Sequence, residues 1–246
     1  MVRAETAEGI AHIALDRPEK KNAFTAEMYR SLGAALAVAD GATDVRAVLL
    51  HGTRECFSAG NDLADFLKTR AAGEESPAAH LFRTLPVMTK PVVAAVNGPA
   101  IGIGCTLLLH CDLVYAGQGA RFQLPFVPLG IVPEFGSTLL VPLLAGYQRA
   151  AELLLLGEPF SAEQAREAGI VNAVVPVTEV LELAERKARA LAALPPESVR
   201  LTKALLKASE RGALEARIAE ESRIFAERLA SPEAKAAMSA FLEKRK

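Results

Sequence analysis

Glu134 has the surroundings in this chain that most favour acid–base chemistry. It stands in Gly130-Ile131-Val132-Pro133-Glu134-Phe135-Gly136, where every other residue is apolar, glycine or proline. Such company holds a carboxyl group away from water, disfavours its charged form and suits it to carry a proton. The plainer reading is an acid near a helix N-terminus, stabilised by the helix dipole. A second stretch could hold negative charge. Pro91-Val92-Val93-Ala94-Ala95-Val96 is the continuous apolar run of a buried strand. It turns at Asn97-Gly98-Pro99 and passes through Gly102-Ile103-Gly104 into an apolar segment, 105–110, that reads as a helix start. A strand, a glycine-rich turn and a helix N-terminus gather free backbone N–H groups, which bind an anion or a developing oxyanion. A third stretch, Phe57-Ser58-Ala59-Gly60-Asn61-Asp62-Leu63, reads by itself as a tight loop ending in a helix cap.

Other chemistries fit less well. A dinucleotide fingerprint begun at Gly102 puts Leu107 where its third glycine belongs. No serine stands in Gly-x-Ser-x-Gly, and His12, His51, His80 and His110 lack metal-ligand spacing, so no metal is expected. Cys56, Cys105 and Cys111 are odd in number and show no CxxC spacing, as reduced thiols of a core do.

The elements that must position these residues alternate strand and helix over about the first 175 residues. Strands are expected at 10–15, 45–51, 91–96, 112–116 and 170–175. Helices are expected from an N-cap at Thr25 to about 39, over 78–88, 135–144 and 148–156, and from an N-cap at Ser161. Residues 73–77 read as a mobile loop. Helices between strands imply largely parallel, covered sheets. From Thr178 the chain is all helix, with breaks at Pro195-Pro196, Gly212 and Ser231-Pro232. Those helices carry apolar faces that must pack on their own chain or on a neighbouring subunit.

The chain has 246 residues, 51% of them apolar, a net charge of −1 and a mean hydropathy of +0.21. These values suit a large core and exclude disorder. No run of one charge points to nucleic acid or a charged membrane surface, and Asp, Arg or His interrupts every apolar stretch short of a membrane span. With no apolar signal region either, a bacterial cytoplasm is the expected location.

Taken together, the landmarks resemble the crotonase superfamily, the enoyl-CoA hydratase/isomerase family. They run in its order over nearly the whole chain: Asp16-Arg17-Pro18 with Asn22-Ala23; the 57–63 stretch; Lys90-Pro91 through Asn97-Gly98; Cys111-Asp112-Leu113-Val114-Tyr115-Ala116; and residues 165–171. The resemblance implies an α/β fold, a crotonase-like spiral of ββα units with a helical C-terminal region. Residues 1–190 would form the core with the CoA and active sites, and residues 191–246 the helical region for packing and oligomerisation, as a homotrimer or dimer of trimers. It places the oxyanion-hole N–H groups at Asn61 and Ile103. It gives Ala59, Gly60, Asp62 and Leu63 to coenzyme A, with Lys20 or Lys21 near its phosphates. Coenzyme A comes as part of the acyl-CoA substrate, and no other cofactor is implied.

The two glutamates that activate water in the family's hydratases correspond here to Thr106 and Phe126, and neither can act as a carboxylate. Glu134 stands where the family's Δ3,Δ2-enoyl-CoA isomerases keep a single glutamate, and the local sequence is similar to the peroxisomal type. The expectation is isomerisation of 3-enoyl-CoA to trans-2-enoyl-CoA in fatty acid degradation, with Glu134 moving the proton. Thr106, Phe126, Leu129 and Phe135 would shape a pocket that keeps water out. The alternatives are a hydratase or another crotonase-type thioester enzyme, and a CoA-thioester binder without activity.

Overall fold

The structure, a computed structural model, describes residues 1–65 and 76–243. The first three residues of the loop expected at 73–77 lie outside them. Strands β1 (Val2–Ala7), β2 (Ile10–Leu15), β3 (Ala47–His51), β4 (Val92–Val96), β6 (Leu113–Gly117) and β9 (Ala173–Val175) form one sheet in the order β1-β2-β3-β4-β6-β9. All its pairings are parallel except β1 with β2. Strands β5 (Pro99–Ile101), β7 (Arg121–Gln123) and β8 (Phe160–Ser161) form a second, smaller sheet. Two single parallel bridges, Phe24 with Asn61 and Ser58 with Ala100, continue that second layer past its edge. Successive units thus put one strand in the large sheet, one short extended piece in the small layer, and then a helical turn. This is the ββα spiral.

The apolar runs of β3 and β4 are continuous because both faces of the sheet are covered. Side chains alternate between faces with period two. Ile10, Ala47, Leu49, Val93, Ala95 and Tyr115 point to α7 (Val180–Ala192), which meets them with Val180, Ala184 and Ala188. Ile13, Val48, Leu50, Val92, Ala94 and Val96 point the other way, into the main core with α1 (Ala26–Gly41). Thr25 caps α1 as expected, its hydroxyl accepting the Met28 N–H at 3.2 Å.

The helices α2 (Ala79–Thr84), α4 (Ser137–Ala145), α5 (Tyr147–Ala151) and α6 (Ala162–Glu167) overlap the expected segments, and α3 (Ile103–Thr106) begins two residues before the expected start at 105. Two further bounds differ. The helix expected from Phe135 begins at Ser137, because Phe135 and Gly136 both hold left-handed φ values, +62° and +73°. The strand expected from residue 170 is confined to β9, since Asn172 instead uses its side chain to hold the edge, accepting Val114 N–H at 2.7 Å.

The C-terminal helices are α7, α8 (Pro196–Ala208), α9 (Arg211–Leu229) and α10 (Pro232–Glu243). The buried Lys203 ties α8 to the core, reaching Asp112 Oδ2 and the Lys90 carbonyl at 2.7 Å each. The other face of α8 leaves Leu205 and Leu206 exposed. Helices α9 and α10 bury Phe225, Leu229, Ala234 and Met238 in the main core of their own chain.

Candidate active site

The loop after β3 is held by Asn22, whose side chain is wholly buried. Its amide donates to the Cys56 and Phe57 carbonyls at 2.8 and 3.1 Å, and its Oδ1 accepts Arg17 N–H at 2.7 Å. Ser58 then locks the loop to β5, donating its N–H to Pro99 O and accepting Ile101 N–H. The approach is tight enough to require glycine. A Cβ on Gly60, which has φ +86°, would fall 2.9 Å from Ile101 O, and one on Gly104 would fall 2.8 Å from Ser58 Cβ. Glycines at these positions let the 58–61 loop lie against the turn at 101–104.

This packing leaves two amides to spare. In the Phe24–Asn61 bridge, Phe24 uses the Gly60 carbonyl and the Asp62 N–H, so the Asn61 N–H points the opposite way. Ile103 is the first residue of α3, where a helix N–H has no carbonyl of its own to meet. Among the described residues neither N–H has a hydrogen-bond partner. Tyr29 of α1 fixes the Asn61 side chain, its hydroxyl donating to Oδ1 at 2.7 Å.

Glu134 is 6% exposed and reaches the site from a strained turn. A left-handed phenylalanine costs about 1–2 kcal/mol. The Phe135 ring offsets this by stacking on Phe82 at 4.1 Å and packing on His110 at 3.9 Å. Its carbonyl accepts a hydrogen bond from His110 Nε2 at 2.8 Å. Burial drives the His110 pKa from 6.5 down to about 3, outweighing that bond, so the ring is neutral. Ser137 Oγ donates to the Glu134 carbonyl at 2.7 Å.

Glu134 and Asn61 line one cleft, which encloses about 640 Å3 counting its open mouth. Its other walls come from Phe24, Ala26, Tyr29 and Asp65 on one side, from 76–78 and Phe82 on another, and from Ser222 and Phe225 of α9. Of these walls, sequence reasoning named only Asn61 and Glu134. Ile103, Thr106, Phe126, Leu129 and Phe135 are buried or half-buried and are not among the residues that line the cleft. Phe135 is absent from the lining because its ring is turned toward Phe82 and His110. Tyr29, Ser222 and Phe225 carried no motif; only the apolar face of α9 hinted at a packing role.

Ala59 and Gly60 lead into Asn61, and Asp62 and Leu63 follow it. Burial pushes the Asp62 carboxyl up, but Arg17, 2.9 Å away, together with the N–H groups at 64 and 65, brings it below its usual value. Lys20 and Lys21 stand exposed on the neighbouring turn. Among the described residues no group of three His, Cys, Asp or Glu could hold a metal, and no helix is long and apolar enough to cross a membrane.

Comparison with known proteins identifies the family and the fold. The pattern of the family described as enoyl-CoA hydratase/isomerase matches residues 5–246. The chain is 36% identical over 234 residues to the 2,3-dehydroadipyl-CoA hydratase of Escherichia coli, covering 95% of this chain and 92% of that protein. It is 36% identical over 246 residues to enoyl-CoA delta isomerase 2 of Rattus norvegicus, covering 96% of this chain and 62% of that longer protein. Among solved structures, an enoyl-CoA hydratase/isomerase from Pseudoalteromonas atlantica superposes with a TM-score of 0.93 at 38% identity, covering 100% of this chain and 98% of that one. Pseudomonas aeruginosa OdaA superposes with a TM-score of 0.94 at 48% identity, covering 98% of each chain. With its α/β crotonase-type fold, the chain belongs to the enoyl-CoA hydratase/isomerase family and is a CoA-thioester enzyme of that type.

Proposed function

We propose that this protein isomerises 3-enoyl-CoA to trans-2-enoyl-CoA in fatty acid degradation, with Glu134 as its single proton carrier. The observation that carries this reading is Glu134, buried in the wall of the same cleft as Asn61; the family resemblance, which sets Thr106 and Phe126 against the hydratase glutamates, supports it. Coenzyme A enters as part of the substrate along Ala59, Gly60, Asp62 and Leu63, with its phosphates toward Lys20 and Lys21. The thioester oxygen accepts the Asn61 and Ile103 N–H groups. Glu134 removes a proton from the carbon alpha to the thioester, and the electron pair spreads through the dienolate onto that oxygen. The same carboxyl group then delivers the proton to the gamma carbon, which moves the double bond into conjugation. Each N–H donor on the developing oxyanion contributes about 3 kcal/mol. The apolar walls keep water from adding to the product. The reaction needs no other cofactor, and the working assembly is a homotrimer or a dimer of trimers.

A second reading is hydration, favoured by one feature. Asp65 places another carboxylate in the cleft, although its Oδ2 also accepts the Ala26 N–H at 2.7 Å. A spectrophotometric assay of a 3-enoyl-CoA, run beside hydration of a 2-enoyl-CoA, separates the two. Glu134→Gln should lower isomerisation by about 10²- to 10⁴-fold. Near-normal isomerisation in that variant would refute the assignment, and hydration sensitive to Asp65→Asn would replace it.

A further inference from the structure

Helix α4 begins at Ser137 without a cap from its own sequence, since Gly136 has no side chain to offer. Its first amides are satisfied from α9 instead. Glu221 Oε2 accepts the Gly136 N–H at 2.6 Å, and Oε1 accepts the Thr138 N–H at 2.9 Å and the Thr138 hydroxyl at 2.6 Å. Arg217, one turn earlier on α9, donates to the same hydroxyl at 3.0 Å. Glu221 is 4% exposed, so the carboxylate has been taken out of water to make these bonds. A buried acid without such partners would be strongly unfavourable, and a carboxylate at a helix N-terminus meets both the free amides and the dipole.

The bonds close on the residues that follow Glu134. Phe135 and Gly136 reverse the chain in left-handed conformations, and Ser137 binds back to the Glu134 carbonyl. His110 holds this turn from the Phe135 side and Glu221 from the Gly136 side. The next residue on α9, Ser222, is itself a wall of the cleft.

We infer that Glu221 is a positioning residue for the reaction, its two-oxygen grip on Gly136 and Thr138 fixing the turn that aims Glu134. The inference rests on Glu134 being the base, as read above. Glu221→Gln turns one acceptor oxygen into an NH₂ group facing an N–H donor, while keeping shape and volume. A misplacement of the base costs rate rather than binding, and about 1 Å is worth about a hundredfold. The experiment measures kcat on a 3-enoyl-CoA, affinity for butyryl-CoA by calorimetry, and thermal unfolding, for wild type, Glu221→Gln and Glu221→Asp. The expected result is a kcat about ten- to a hundredfold lower for Glu221→Gln, butyryl-CoA affinity within about threefold, and partial recovery in Glu221→Asp, which restores the carboxylate. A kcat within about threefold of wild type, or an affinity loss equal to the kcat loss, would overturn it. If the Gln variant does not fold, Thr138→Val decides. It removes only the hydroxyl between Glu221 and Arg217, and an unchanged kcat would overturn the inference. If wild type does not isomerise 3-enoyl-CoA, the proposed substrate is wrong. The same variants are then compared by exchange of the alpha hydrogens of butyryl-CoA in D₂O, which needs only the base and the N–H donors. Exchange lost in Glu221→Gln keeps the inference, and exchange unchanged, or absent from wild type, ends it.

Discussion

His110 makes the stability of this protein fall on mild acidification, by an amount that can be worked out. The ring is fully buried in the native state and has a pKa of about 3 there, against 6.5 in water. Above pH 6.5 neither state protonates it, and its neutral form contributes fully to stability. Below 6.5 the unfolded chain takes up a proton that the native chain refuses, so stability declines until the pH reaches about 3. Each unit is worth about 1.36 kcal/mol, so the step from pH 6.5 to pH 5 removes about 2 kcal/mol, and the whole window about 5 kcal/mol. For a chain of 246 residues, 2 kcal/mol lowers Tm by about 4–8 °C. The control is His110→Gln, which can still donate to the Phe135 carbonyl and does not titrate. It should be less stable at pH 7, because it gives up the ring contact with Phe135 at 3.9 Å. Urea unfolding of both proteins from pH 7 to pH 5 supplies the test, read as the difference between them. Burial raises the Glu221 pKa, which acts in the opposite sense. Stability from that group is present at low pH and is lost as the pH climbs through its native value. Both proteins share this contribution and it cancels in the difference. The gap between wild type and variant should narrow by about 2 kcal/mol at pH 5. A gap that stays constant would refute the buried neutral ring.

Gly104→Ala should push the 58–61 loop off α3, because its Cβ would meet Ser58 Cβ at 2.8 Å and Ser58 O at 3.0 Å. A kcat loss of about tenfold or more is expected from spoiled N–H donors, and an unchanged kcat would show that the loop tolerates the shift. Asn22→Ala strands Arg17 N–H and the Phe57 carbonyl, while the Cys56 carbonyl keeps the Thr53 N–H at 2.9 Å. It should cost about 2–6 kcal/mol in urea unfolding, at roughly 1–3 kcal/mol for each of the two groups left unpaired.

The fold was legible where burial is symmetric. Residues 47–50 of β3 and all of β4 are apolar because both faces of the sheet are covered, and the Thr25 and Ser161 caps are chemistry confined to a few neighbouring residues. Strand β1 was not anticipated, because residues 3–7 are all exposed and β1 pairs only along one edge. Its signal was the turn at Glu8 and Gly9, with φ values of +52° and +78°, the hairpin geometry that two left-handed residues supply. Strands β5, β7 and β8 have three residues or fewer and exist only through their partners. At the site, Glu134 was visible as an acid among apolar residues, and the 57–63 and 102–104 loops as glycine-rich turns. The walls were not. Tyr29, Ser222 and Phe225 lie on helices whose patterns read as ordinary packing faces. Glu221 follows another glutamate, so it resembles the solvent side of a charged helix until its partners at 136 and 138 are seen.

The bond from Gly136 to Glu221 spans 85 residues of chain. Closing so long a loop is unfavourable until other contacts have drawn its ends together. During folding, the large sheet and α1 can therefore assemble while the turn at 135–136 still has its amides turned to water. On the role inferred for Glu221, the turn sets as α9 docks, so the cleft is completed after the scaffold that surrounds it. A ribosome that has released the whole large sheet has still to deliver the helix that finishes this turn.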